Sequence, residues 1–495
     1  MDRINQIYKK IIDSRPYGFW AGFIIGLFYF SWIFWWLWSV YPLVSLGTES
    51  KILASFVILI PFIVTVAGMS LFWGIFSYSL FNFFKKAKPI LLPFFYAGTF
   101  VLVEYLRTWF FGILWAGPDT LLGPHWTLGN PAYLFADLGL IRQSASYWGI
   151  YGIDFLIVFF PAALFLLVKN RGNKSKMVSA LEIICIATIL ILTNLISSQN
   201  KSGFEKEKLT ISVIQTKNPI KILYEPEELL ADFSEKNKLL KEVSKKSDIV
   251  IFPESADFSK TLSGFLDFNS AQKYFNNLSQ ENVLIIDNNR ILEQDGLKSK
   301  VILIDSKNGI LGFYDKKLLT PGGETIPYLA KIPILVFEYI LKNNFISSRA
   351  TFSKGTRNNV LDYKNNKIKI IVCSDIISPS LSRSGEFGFM VNLNNLAVFN
   401  GNKLIEKQLL SMAKFRAAEN KKYLVVSSNF GHSYIINPAG NIADSTDSSG
   451  YQILTGELMP NRVRTWYNKL GNIPILSFSF LIVLLGLKTS RNRKF

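Results

Sequence analysis

Long apolar segments dominate the first 200 residues of the chain and return once near its end. Phe19 to Val40 contains 22 residues without a charge, and Ile52 to Phe84 contains 33. A run of about 20 apolar residues crosses a hydrocarbon core as a helix. The pattern therefore predicts five spans within 1–200 and a C-terminal span; the other four segments are Pro89 to about Arg107, Tyr147 to Val168, Val178 to Ser197 and Ile473 to Leu487.

Basic residues are concentrated in the segment before the first predicted span and in those after the second, fourth and sixth. The loops on the opposite side, 41–51 and 108–146, contain only Lys51 and Arg142 as basic residues. Short basic loops remain on the cytoplasmic side of a membrane. We therefore expect a multi-pass protein of the bacterial cytoplasmic (inner) membrane, with cytoplasmic termini and residues 198–472 on the periplasmic side.

Residues 205–465 have an ordinary polar composition and alternate strand-like with helix-like segments. Such alternation predicts α/β layers. Asn308–Gly309 and Pro438–Gly440 are typical hairpin turns. The predicted strands include Leu209–Gln215, Asp248–Phe252, Asn282–Ile286, Lys367–Val372 and Tyr423–Ser427, and the predicted helices are Glu227–Lys246, Ser270–Gln280 and Leu409–Asn420. The predicted architecture is thus a helical membrane domain at 1–200, an α/β domain at 205–465 and a C-terminal transmembrane helix at 473–487.

Composition narrows the possible partners and cofactors. The net charge is +18, but Lys and Arg form neither an arginine-rich block nor a zinc-finger pattern, so we expect no nucleic-acid partner. Two His and two Cys give no metal-binding motif, and we expect no metal and no cofactor. Cys185 lies inside an apolar segment, where we expect it to be a buried small hydrophobe.

Three predicted strand ends carry residues with catalytic chemistry. Glu254 follows Phe252-Pro253, Lys316 and Lys317 follow a hairpin, and Cys373 ends a buried strand. A carboxylate can accept a thiol proton, a thiolate can attack a carbonyl, and an ammonium can stabilise the resulting oxyanion. Each residue also has an ordinary interpretation: a loop carboxylate, a solvated lysine or a packed cysteine. Their common position at strand ends favours catalysis.

The order Glu, Lys, Cys resembles the nitrilase (carbon–nitrogen hydrolase) superfamily. Together with the flanking spans, it resembles the superfamily's membrane member, the apolipoprotein N-acyltransferase family. The resemblance covers nearly the whole chain. It implies an αββα sandwich for the α/β domain at 205–465, which we call the outer domain. Four further segments carry it: Val103–Arg107, Gln143–Gly152, Arg416–Glu419 and Asn429–Gly431.

The resemblance implies a role for each residue of the triad. Glu254 would be the general base and Cys373 the nucleophile that forms a thioester. Lys316 would stabilise the oxyanion, and it is preferred to Lys317 because the family lysine lies two positions after the Tyr.

Supporting positions match the family less closely. Glu324 would be a second glutamate that supports the triad, and the backbone N–H of Ser374 would complete the oxyanion hole. Asp375 keeps the charge of the family's glutamate on a shorter side chain. Elsewhere Phe252 stands for the family's Trp and Gly322 for its Phe.

The resemblance implies transfer of an acyl chain from a phospholipid to the N-terminal amine of a diacylglyceryl-cysteine lipoprotein. Two alternatives remain open from the sequence. One is a membrane-anchored amidase of the nitrilase type, which would pass its thioester to water. The other is a lipoprotein-binding relative without catalysis, because several aromatic positions of the family are changed. A transporter is less favoured because it would leave the large outer domain unexplained.

Overall fold

The computed structural model describes most of the chain. The basic segments 1–14, 84–88 and 170–172, on which the predicted orientation partly depends, lie outside the described residues. The described residues are 15–43, 51–83, 89–169, 173–199, 208–219, 225–341, 351–447 and 450–491.

The apolar segments form helices, as predicted. Five helices are long and apolar enough to cross a membrane, and a shorter apolar helix runs over Ile473–Thr489. The helices are α1 (Arg15–Phe34, continued by a 3-10 turn at Trp35–Val40), α2 (Lys51–Phe83), α3 (Leu92–Leu114), α4 (Gly139–Lys169), α5 (Asn173–Gln199) and, at the C-terminal end, α13 (Ile473–Arg491).

Helices α3 and α4 extend furthest beyond the apolar segments that predicted them. Helix α3 continues past Arg107 to Leu114, and α4 begins at Gly139 rather than near Tyr147. The additional first turn of α4 includes Arg142, which is buried and donates to the Ala439 carbonyl oxygen at 2.8 Å. Hydropathy does not predict such helix ends, because they contain polar groups whose hydrogen-bond partners lie in distant parts of the chain.

The expectation for Cys185 is wrong, because its side chain is exposed. It lies on α5, whose most apolar part, Lys176–Thr193, is only 6% buried inside the protein. An apolar residue on such a helix faces the surroundings rather than a protein core.

The membrane helices enclose a polar cluster. Glu104 and Arg107 form an ion pair at 2.8 Å, and both side chains are fully buried. Trp73 Nε1 donates to Glu104 at 2.9 Å, and Arg107 donates to the Leu128 carbonyl oxygen at 2.9 Å. Glu104 and Arg107 thus neutralise each other inside the helical bundle.

The outer domain contains two six-stranded sheets. In chain order, the strands are β1 (Leu209–Gln215), β2 (Ile249–Ile251), β3 (Leu284–Glu293), β4 (Gly296–Asp305), β5 (Gly309–Asp315), β6 (Val360–Tyr363), β7 (Asn366–Val372), β8 (Phe389–Asn395), β9 (Leu424–Asn429), β10 (Tyr434–Ile436), β11 (Ile442–Ser445) and β12 (Gln452–Leu458). One sheet has the order β12-β1-β2-β3-β4-β5 and the other β11-β10-β9-β8-β7-β6. Strands β1-β2-β3 and β7-β8-β9 are parallel, and antiparallel strands flank each parallel centre.

The two sheets pack face to face between layers of helices. Apolar side chains of both sheets, including Ile251 and Val372, form the core between them. Helices α6, α7 and α8 cover the first sheet, and α11 lies between the second sheet and membrane helix α4. The outer-domain helices are α6 (Pro226–Val243), α7 (Phe258–Phe265), α8 (Phe268–Asn276), α9 (Tyr328–Leu341), α10 (Pro379–Arg383), α11 (Lys403–Asn420) and α12 (Trp466–Leu470). This is the αββα arrangement that the resemblance implied.

Candidate active site

The three predicted catalytic residues lie together, each just after the carboxyl end of a strand. Glu254 follows β2, Lys316 follows β5 and Cys373 follows β7, so both sheets contribute to the site. Lys316 Nζ is 3.0 Å from Glu254 Oε1 and 2.9 Å from Glu324 Oε1. The Cys373 thiol lies close enough to the Glu254 carboxylate and the Lys316 ammonium for their charges to act on it. The structure thus brings Lys316 into contact with both glutamates and places the Cys373 thiol beside this cluster.

Lys316 and Lys317 differ in environment. Lys316 is 2% exposed and contacts two carboxylates, whereas Lys317 is half-buried. The Lys316 backbone is fixed by bonds of its own: its N–H donates to Ser299 at 3.0 Å, and its carbonyl accepts from Gly355 at 2.8 Å. The strand end therefore holds Lys316 towards the site.

Cys373 is half-buried and has an unusual backbone. Its φ is 44°, in the left-handed region that non-glycine residues seldom occupy. It opens a 3-10 turn, Cys373–Ile377, which directly follows β7. The sharp change of direction lifts the sulfur out of the sheet and into the site.

Burial and charge set the protonation of this cluster. Burial raises the pKa of Glu254, although Lys316 counteracts it. Burial disfavours the charged form of Lys316, but Glu254 and Glu324 outweigh it, so the pKa of Lys316 is raised. Burial and then the Glu254 charge raise the pKa of the Cys373 thiol. At neutral pH the Cys373 thiol is therefore neutral and Lys316 is charged, beside the Glu254 carboxyl.

The predicted supporting residues connect the loops that carry the triad. Glu324 Oε2 accepts from the Thr320 N–H at 2.8 Å while its other oxygen contacts Lys316. The Ser374 hydroxyl donates to the Leu318 carbonyl oxygen and accepts from Thr320 Oγ1 at 3.2 Å. Both side chains therefore restrain the loop that contains Lys316.

Asp375 is fully buried and joins the lysine loop to the nucleophile turn. It accepts from the Tyr314 hydroxyl and the Leu318 N–H, both at 2.8 Å, and from the Val372 N–H at 3.3 Å. No role for Tyr314 was predicted from the sequence. The signal was present, because this Tyr opens the Tyr-Asp-Lys segment that identified Lys316.

The site lies beside the end of a membrane helix. Helix α3 ends at Leu114, and the Ala116 carbonyl oxygen accepts from the Tyr328 N–H at 2.7 Å. Thr325, the residue after Glu324, donates its hydroxyl to the Pro118 carbonyl oxygen at 2.9 Å. The loop that carries Glu324 is therefore attached to the membrane half of the chain.

Two family profiles match separate parts of the chain. A profile described as carbon–nitrogen hydrolase matches residues 210–468, which is more than half of the 495 residues. A profile described as apolipoprotein N-acyltransferase N-terminal domain matches residues 9–163.

Individual relatives agree at low identity. The apolipoprotein N-acyltransferase of Coxiella burnetii is 26% identical over 493 residues, covering 96% of this chain and 92% of that protein. That of Geobacter metallireducens is 26% identical over 391 residues, with 73% and 70% covered. A solved carbon–nitrogen hydrolase from Helicobacter pylori has a TM-score of 0.38 at 15% identity, covering 51% of this chain and 89% of that one. The chain is a membrane protein that belongs to the carbon–nitrogen hydrolase family, with an N-terminal half similar to that of apolipoprotein N-acyltransferases.

Proposed function

We propose that the chain transfers an acyl chain from a phospholipid to the N-terminal amine of a diacylglyceryl-cysteine lipoprotein. The transfer runs through a thioester on Cys373, with Glu254 as general base and Lys316 as oxyanion donor. Glu324, Ser374 and Asp375 support these three residues. The observation that carries the proposal is the grouping of Cys373, Glu254 and Lys316 at three strand ends, beside the end of a membrane helix.

The location of the site suits two amphiphilic substrates. A phospholipid and a lipid-modified peptide both keep their apolar chains in the bilayer, and their reacting groups lie near its surface. The bonds from Tyr328 and Thr325 to the segment after α3 hold the site at this level. We infer that the helices lie in the cytoplasmic (inner) membrane and that the outer domain faces the periplasm.

The first half-reaction forms the thioester. Glu254 accepts the Cys373 proton as the sulfur attacks the acyl ester carbonyl. Lys316 and the Ser374 backbone N–H stabilise the oxyanion. The C–O bond then breaks, and the lysophospholipid alkoxide leaves with the proton held by Glu254.

The second half-reaction uses the same groups in reverse. The free amine of the lipoprotein attacks the thioester carbonyl and gives a proton to Glu254. The C–S bond breaks, the thiolate is reprotonated from Glu254, and an amide is released. No cofactor or metal takes part in this scheme.

The test is a search for the covalent intermediate. Purified protein in detergent is incubated with a phospholipid, and the mass of the intact protein is measured beside Cys373→Ala and Glu254→Ala variants. An acyl adduct that needs both residues and moves to a diacylglyceryl peptide amine establishes the proposal. An adduct that is released only to water indicates the amidase. A folded protein without an adduct indicates the non-catalytic relative.

A further inference from the structure

The turn that begins with the nucleophile is hydrogen-bonded at its far end by side chains outside the triad. Arg416 of α11 donates its Nε to the Ile376 carbonyl oxygen at 3.1 Å. Thr127, in the segment between membrane helices α3 and α4, donates its hydroxyl to the Ile377 carbonyl oxygen. Two successive carbonyl groups of the turn are therefore held from outside it.

Tyr133 closes these two contacts into one ring. Its hydroxyl accepts from Arg416 Nη2 and is 2.7 Å from Thr127 Oγ1. Because the Thr127 proton goes to the Ile377 oxygen, the Tyr133 hydroxyl must donate to Thr127. We call Thr127, Tyr133 and Arg416 the turn clamp. All three side chains are buried, so their bonds form where water does not compete.

The clamp is connected to a kink in membrane helix α4. Arg416 pairs with Glu419, and the Glu419 backbone carbonyl accepts from the Thr465 hydroxyl at 2.6 Å, just before α12. The kink lies at Gly149, whose φ of 65° and ψ of −172° interrupt the helix. The Tyr467 ring of α12 packs against this glycine, where an added Cβ would lie 2.3 Å from it. Membrane helix, clamp and nucleophile turn are thus joined by hydrogen bonds and, at Gly149, by close packing.

We propose that Thr127, Tyr133 and Arg416 are positioning residues, through which the membrane half holds the nucleophile turn in its reactive geometry. This inference rests on the proposed acyl transfer. Cys373 occupies a strained left-handed conformation, and such conformations persist only where the surroundings over-determine them. The clamp supplies that restraint three and four residues after the nucleophile.

Mild substitutions test the clamp, because removing Arg416 would leave a buried carboxylate unpaired and threaten folding. Tyr133→Phe and Thr127→Val each delete one hydroxyl from the ring. Tyr96→Phe is the matched control: Tyr96 is also buried and donates to a carbonyl oxygen, that of Leu80, at 3.3 Å among the membrane helices. The time course of acylation of Cys373 is followed by intact mass, with phosphatidylethanolamine in detergent micelles.

A positioning role predicts slower acylation without loss of competent protein. We expect the first-order rate constant to fall on the order of tenfold in both variants, because small misplacements of reacting groups are costly. The final acylated fraction should match that of the wild type. The double variant should be no slower than the slower single variant, since both substitutions break the same ring.

Other results would overturn the inference. Unchanged rate constants in both variants, or a smaller acylated fraction that reacts at the wild-type rate, would show that the ring only stabilises the fold. A rate loss in Tyr96→Phe equal to that of the clamp variants would have the same meaning. A folded wild-type protein that forms no adduct would refute the proposed function itself, and the clamp's role with it.

Discussion

Lys316 lies between the carboxylates of Glu254 and Glu324 and contacts both of them. Its charge therefore has two tasks: it keeps two buried acids close together, and in the proposed reaction it meets the developing oxyanion. The sequence offered two adjacent lysines, and only their spacing from Tyr314 separated them. The structure separates them by burial and by partners.

Loss of Lys316 should nearly abolish acylation. For Lys316→Met we expect the rate of adduct formation on Cys373 to fall at least about 100-fold, as for other removals of an oxyanion donor. Lys317→Met is the matched control and should fall less than about threefold. The rates are measured by intact mass under identical lipid conditions. Equal losses in the two variants would remove Lys316 from its proposed role.

The acid side of the pH profile should report Glu254. Burial raises the pKa of this carboxyl above its usual 4.5, and a general base must be deprotonated. We therefore expect the acylation rate to fall as the pH is lowered, with a midpoint above 4.5. A carboxyl with a raised folded pKa binds its proton more readily in the folded state, so this titration alone does not destabilise the fold. Thermal unfolding at each pH is the control, and a midpoint at or below 4.5 would contradict the assignment.

Strand β3 shows why sequence patterns predict some elements only in part. The apolar segment Asn282–Ile286 predicted a short strand, but β3 continues to Glu293 through three buried polar residues and an exposed arginine. Asp287, Asn288 and Asn289 accept backbone N–H groups of Ser259, Ser255 and Lys260, in the segment after Glu254. Such long-range bonds make buried polar residues acceptable in a strand, and a local pattern does not contain them.

The three bonds to Asp375 predict graded effects on stability. Asp375→Asn keeps the shape but turns one acceptor into a donor, so at least one buried N–H or hydroxyl loses its partner. We expect a loss of about 1–3 kcal/mol in the free energy of unfolding. Tyr314→Phe removes one of the bonds and should cost about 1 kcal/mol. Denaturant unfolding of the purified variants measures both, and the reverse order would contradict the account of Asp375.

The kink in α4 depends on a glycine. At Gly149, φ is 65° and an added Cβ would lie 2.3 Å from the Tyr467 ring. Gly149→Ala should therefore lower the free energy of unfolding by about 2 kcal/mol or more. Gly264→Ala, in α7 with nothing near its Cβ position, should be neutral or slightly stabilising. Thermal unfolding in detergent compares them, and similar losses would show that the kink is not restrictive.

In the whole molecule, the contacts between the membrane helices and the outer domain could not be predicted from the sequence. Apolar length predicted the spans, and the strand ends together with the family resemblance predicted the triad. The contacts that join the two halves involve residues far apart in the chain, such as Arg142 with Ala439 and Gln408 with Ile33. Each is a polar bond between segments whose local patterns are unrelated, so no spacing rule reveals it.

The orientation of the molecule can be tested by labelling. Lys238 lies in α6, one of the helices that cover the first sheet, and its side chain is 73% exposed. Lys488 is exposed near the end of α13. In a background with Cys185→Ala and Cys373→Ala, a membrane-impermeant maleimide should label Lys238→Cys in intact spheroplasts. Lys488→Cys should react only after lysis. The opposite pattern would place the outer domain in the cytoplasm.

The left-handed backbone of Cys373 sets stability against reactivity at a single position. A side chain at φ 44° costs on the order of 1–2 kcal/mol relative to an ordinary conformation. Glycine would relieve that cost and would also delete the sulfur. The most relaxed form of this turn is thus an inert one. The active chain remains folded with a permanent local penalty at the residue that its chemistry requires.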